Sequence, residues 1–88
     1  MKITIYTRED PPCPYCEGAK LVCSTKGYDF NTIVIGRDIQ KEEFLEMYPG
    51  QRTVPLVMVT EDGFTEKIGG YAEFKTWAAK RDVKGMTL

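Results

Sequence analysis

Three cysteines occur in this 88-residue chain, two of them spaced as Cys13-Pro14-Tyr15-Cys16. Residues three apart on a helix share one face. With Cys13 at a helix entry and Cys16 one turn in, their sulfurs meet without backbone movement, so the pair can cycle between dithiol and disulfide. The first turn of a helix carries unpaired N–H groups and the positive end of its dipole. Both favour a thiolate, and such motifs bring a cysteine pKa from about 8.5 down to about 3.5–7.5. Cys13 is therefore the expected low-pKa thiol. The chain has no histidine, so the usual general base and the commonest metal ligand are both missing. The helix terminus is the main activation available, and Pro14 stiffens the turn between the two thiols.

The other chemistry open to a cysteine pair is half of a zinc site. Zinc usually takes four N or S ligands, typically as two separated pairs. Here a single pair has no histidine beside it. Cys23 lies one heptad past Cys16, about 10.5 Å along a helix axis. A strain-free disulfide needs Cα atoms within about 7 Å. Cys23 instead falls on a stripe with Ala19 and Val22, which reads as a small core residue; a redox-regulatory thiol is the alternative.

The elements that must hold the pair follow from periodicity. Lys2 to Tyr6 alternates as a strand, with Ile3 and Ile5 on one face and Thr4 and Tyr6 on the other. A helix runs from Pro14, which suits a first turn, to about Lys26, with Gly27 as its stop. Asp29 to Ile35 is rich in β-branched residues and reads as a second strand. Asp38 is a candidate cap for a second helix from about Ile39 to Tyr48, whose apolar residues are Ile39, Phe44, Leu45 and Met47. Leu56 to Thr60 and Thr65 to Ile68 flank the turn signal Glu61-Asp62-Gly63 and form a hairpin. After Gly69-Gly70, a last helix spans about Tyr71 to Arg81, with Phe74 and Trp77 as core residues. The tail to Leu88 is weakly specified. The order β-α-β-α-β-β-α predicts an α/β fold, a four-stranded mixed sheet with helices on both faces. A C-x-x-C after the first strand of such a βαβ unit is the sequence cue for a thioredoxin-like redox site.

Composition bounds the partners. Apolar residues make up 42% and charged residues 28%, with a net charge of −1. These are globular proportions, and the chain length predicts one domain over 1–88. The charges are interspersed, so no nucleic-acid surface is expected. No apolar run approaches the ~18 residues that would span a bilayer, and no signal-peptide stretch precedes Arg8. An odd cysteine count outside a secreted scaffold points to a reducing compartment, the cytoplasm, and no bound metal is expected.

The chain resembles the glutaredoxins from Met1 to about Ala79. Three motifs carry the resemblance in order: Cys13-Pro14-Tyr15-Cys16, Thr53-Val54-Pro55 and Gly69-Gly70-Tyr71. The resemblance implies a thioredoxin fold, a cis bond before Pro55 and glutathione-dependent thiol–disulfide exchange. Cys13 would be the exposed nucleophile and Cys16 the resolving thiol. Tyr15, Thr53, Val54, Pro55, Gly70, Tyr71, Ala72 and Glu73 would line a glutathione groove, with Arg8 as its basic residue. Family members commonly hold that base three residues before the first cysteine; here Asp10-Pro11-Pro12 intervenes. Ala72 offers no polar atom, so backbone N–H groups are expected to do more of the binding than side chains. Glutathione would be a co-substrate of a monomer with no bound cofactor. Clients would be disulfide-containing proteins, ribonucleotide reductase being typical. Two alternatives accompany this reading: a redoxin reduced by thioredoxin reductase, and a glutathione-ligated iron–sulfur carrier on Cys13.

Overall fold

The computed structural model describes residues 1–84, with side chains through Arg81; the tail to Leu88 expected to be weakly specified lies outside the described residues. The elements are β1 (Lys2–Thr7), α1 (Pro14–Lys26), β2 (Phe30–Val34), α2 (Lys41–Met47), β3 (Leu56–Glu61), β4 (Phe64–Gly69) and α3 (Tyr71–Lys84). The sheet order is β2-β1-β3-β4. β1 runs parallel to β2 and antiparallel to β3, and β3 pairs antiparallel with β4. This is the expected mixed sheet, with β1 at its centre feeding directly into the cysteine loop.

Strand alternation sends neighbouring side chains to opposite faces, and two cores result. Ile3, Ile5, Val57 and Val59 pack with Ala19 and Cys23 of α1 and Phe74 of α3. Tyr6, Leu56 and Met58 pack on the opposite face against Phe44 of α2. The β3–β4 turn places Asp62 at φ 54° and Gly63 at φ 83°, the left-handed conformations a two-residue hairpin requires. Gly27 ends α1 at φ 73°, its N–H turned back to Cys23 and Ser24 carbonyls.

The second helix departs from expectation. It starts at Lys41 behind Gln40, not at Ile39 behind Asp38. Asp38 instead accepts the Val34 N–H at 2.8 Å. That bond, and then Arg37 beside it, hold the Asp38 carboxyl below its ordinary value. Ile39 forms a bridge with Ile35, and the Gly36 N–H donates to the Ile39 carbonyl at 2.7 Å. A side chain folded back to close this loop cannot also cap the helix. The cap falls to Glu43, which accepts the Gln40 N–H at 3.3 Å. Leu45 and Met47 are exposed rather than core, because the short α2 turns only Phe44 and its i+4 neighbour Tyr48 to the sheet.

Candidate active site

Cys13 is the N-cap of α1, in extended conformation (φ −122°, ψ 96°). It leaves β1 through the loop Arg8–Pro12 and enters the helix at Pro14, whose missing N–H is not needed there. Cys13 and Cys16 form a disulfide with Cα atoms 5.2 Å apart. Cys13 Sγ accepts the Cys16 backbone N–H at 3.2 Å. In the reduced protein that N–H, together with the helix terminus behind it, favours the thiolate at Cys13. Cys13 Sγ also lies 3.7 Å from the Val54 carbonyl oxygen, so the Thr53-Val54-Pro55 segment stands directly against the reactive sulfur. The peptide bond before Pro55 is cis, and so is that before Pro11.

The expected nucleophile is less open than the sequence suggested. Cys13 retains 5% of its surface and Cys16 none. As a disulfide the two sulfurs cover one another, and Cys16 sits beneath. The exposed surface beside them belongs to Tyr15, 65% exposed, whose ring lies 5.9 Å from that of Tyr71. Lys75 places its Nζ 5.4 Å from the centre of the Tyr71 ring. Tyr71 reaches this position over Gly18, where an added Cβ would stand 2.8 Å from the ring. An interior helical glycine costs about 1 kcal/mol against alanine. A glycine kept at that cost is the sequence signal for this close approach.

The remaining expected residues divide into two groups. Gly70, Tyr71, Ala72 and Glu73 open α3. There the Glu73 carboxylate already accepts the Gly70 N–H at 2.9 Å, so one of the backbone donors expected to receive a ligand carboxylate is occupied from within. Arg8, Thr53 and Val54 lie on another side, along a groove of about 860 Å³. Arg8 Nε donates to the Pro11 carbonyl at 3.0 Å, folding the loop on itself. The groove also takes in Lys41, Leu45 and Arg52, none of which the motifs pointed to. They come from α2 and the following loop, and no local pattern marks them. Among the described residues there is no cluster of His, Cys, Asp and Glu suited to a metal ion. No described helix is long and apolar enough to cross a membrane.

Comparison with known proteins accords with this geometry. The glutaredoxin family model matches residues 3–64. Glutaredoxin 3 of Escherichia coli strain K12 is 35% identical over 68 residues, covering 77% of this chain and 75% of its own. The crystal structure of Glutaredoxin 1 from Francisella tularensis, complexed with cacodylate, has a TM-score of 0.67 at 31% identity and covers 91% of this chain and 94% of that one. NrdH-redoxin from Escherichia coli, a glutaredoxin-like protein described as having a thioredoxin-like activity profile, has a TM-score of 0.63 at 30% identity over 91% and 93% of the two chains. With its thioredoxin fold and its Cys13–Cys16 pair at a helix entry, this chain belongs to the glutaredoxin family and is a thiol–disulfide oxidoreductase.

Proposed function

We propose that this chain takes its electrons from glutathione and reduces protein disulfides and glutathione mixed disulfides. The observation that carries the reading is Cys13 Sγ, held by the Cys16 N–H at 3.2 Å with the Val54 carbonyl 3.7 Å away. A peptide-like ligand joined to that sulfur runs alongside Thr53 and Val54, which offer main-chain hydrogen bonds. Tyr15 and Tyr71 flank it with apolar surface. The N–H groups of Tyr71, Ala72 and Glu73 at the start of α3 suit a carboxylate.

The exchange balances as follows. Cys13 thiolate attacks one sulfur of the client disulfide, forming a mixed disulfide and releasing the other client sulfur as a thiolate, which takes a proton. Cys16, once deprotonated, attacks Cys13 Sγ, freeing the second client thiol and closing the Cys13–Cys16 disulfide. One glutathione thiolate then opens that disulfide at Cys13, and a second leaves with the first as glutathione disulfide. A mixed disulfide with glutathione needs only Cys13 and one further glutathione. The protein works as a monomer with no bound cofactor, in a reducing compartment such as the cytoplasm, with ribonucleotide reductase among its clients.

Two observations favour thioredoxin reductase as the electron source. Glu73 fills the Gly70 N–H, and a neighbouring structure carries a thioredoxin-like activity profile. NADPH consumption measured with glutathione and glutathione reductase, against thioredoxin reductase alone, separates the two. Turnover only with thioredoxin reductase refutes glutathione as the donor.

A further inference from the structure

The groove beside Val54 has a chemistry that glutathione does not exhaust. Its cations are Arg8, Lys41 and Arg52, with Asp10 the one carboxylate among its lining residues. Several charged side chains elsewhere are paired: Lys2 with Asp29, Lys20 with Glu17, Arg37 with Glu9 and Asp38, Arg81 with Glu61. Among the described residues, Lys41 and Arg52 have neither an ion-pair nor a hydrogen-bond partner. The lining also includes the apolar Ile35, Phe44, Leu45 and Pro49, and Leu45 is 39% exposed. Exposing an aliphatic side chain on the apolar-facing flank of a helix otherwise rich in Glu and Lys leaves hydrophobic area for a partner to cover. The volume of about 860 Å³ lies toward the upper end of the range for ligand sites. The groove meets the reactive centre at Val54, whose carbonyl faces Cys13 Sγ.

We propose that this groove docks the polypeptide of a disulfide client, and that it selects a segment carrying acidic and apolar side chains next to its reactive cysteine. Acidic groups meet Lys41 and Arg52, and an apolar side chain covers Leu45. The proposal rests on the reading of Cys13 as the thiol that attacks client disulfides, and it is independent of which reductant restores the pair.

The test is therefore a single turnover. Pre-reduced protein is mixed with synthetic peptides closed by one internal disulfide, quenched with iodoacetamide and read by mass spectrometry. One peptide carries Glu and Leu beside its cysteine, one has Gln in place of Glu, and one has Ser in place of Leu. Hydroxyethyl disulfide and glutathione disulfide serve as small substrates. The Glu/Leu peptide reacts about fivefold faster than the Gln peptide, the size expected of exposed charge contacts. That advantage shrinks at high salt and is lost in the Lys41→Gln/Arg52→Gln double variant. Leu45→Ser removes the advantage over the Ser peptide. Hydroxyethyl disulfide reacts at the same rate in every variant. Equal rates for the three peptides with the unaltered protein overturn the proposal. So does an equal loss with glutathione disulfide in the double variant, which makes the groove a glutathione subsite only. If reduced protein reacts with no disulfide at all, the underlying reading of Cys13 fails instead.

Discussion

Cys13 keeps 5% of its surface while Cys16 has none. On the proposed reading a substrate sulfur approaches Cys13, and Cys16 attacks Cys13 from beneath. Cys13→Ser therefore loses all activity, since the thiolate is the nucleophile. Cys16→Ser retains removal of glutathione from mixed disulfides and loses most reduction of internal protein disulfides, which needs a second protein thiol. Kinetics on a glutathionylated peptide and on an internal-disulfide peptide check this; equal losses in a folded Cys16→Ser protein contradict the division. Cys23, fully covered between α1 and the sheet, has its thiol pushed up to about 11 by burial. In reduced protein near neutral pH, iodoacetamide labels Cys13 first and Cys23 last, as peptide mass spectrometry reads. Fast labelling of Cys23 would place it outside the core. Its burial was legible from the stripe it shares with Ala19. The near-coverage of Cys13 was not, because it depends on the sulfur it bonds and on Val54, far along the chain.

At the scale of elements, the contact between α1 and α3 turns on Gly18. A Cβ there stands 2.8 Å from Tyr71 Cε1, so the ring, half-buried against the core, must shift along its outer side. Alanine gains about 1 kcal/mol in helix propensity. Gly18→Ala thus leaves the melting temperature within a few degrees of the parent (about 4–8 °C corresponds to 1 kcal/mol in a domain this size). It displaces Tyr71 from its place beside Tyr15 and raises KM for a glutathionylated peptide with little change in kcat. An unchanged KM would remove Tyr71 from the binding surface. α1 keeps its expected limits at Pro14 and Gly27, the β3–β4 turn falls on Asp62-Gly63, and α3 starts after Gly69-Gly70 but runs to Lys84, past the expected Arg81. The start of α2 does not, because the Asp38 carboxylate is bound by Val34 and Ile39 is held by Ile35. Asp38 is a good cap by type; its use elsewhere depends on a strand edge that sequence periodicity alone does not place.

For the molecule as a whole, the two cores hold one titratable group each in neutral form. Cys23 on one face rises from 9.0 to about 11 through burial. Tyr6 on the other rises from 10.0 to about 12, through burial first and then its hydroxyl contact with Tyr48. The folded state keeps protons that the unfolded chain releases, so stability is whole at lower pH and falls as pH climbs between each pair of values. Thermal melts show the midpoint declining from about pH 9. Cys23→Ala flattens the lower part of the decline and Tyr6→Phe the upper part; a midpoint level to about pH 11 would mean that neither group is held neutral. The sequence by itself determined the element order, the sheet, the reactive pair and the opposite faces of β1 taken by Ile3 and Ile5 and by Thr4 and Tyr6. Those properties rest on local periodicity, turn chemistry and a three-residue spacing. Only the tertiary structure decided that Tyr71 lies on Gly18, and that Arg8, Lys41 and Arg52 gather round one groove at Val54. These residues come from separate elements, and their meeting depends on how β1, α2 and the Thr53-Val54-Pro55 segment pack. No window of neighbouring residues records that arrangement.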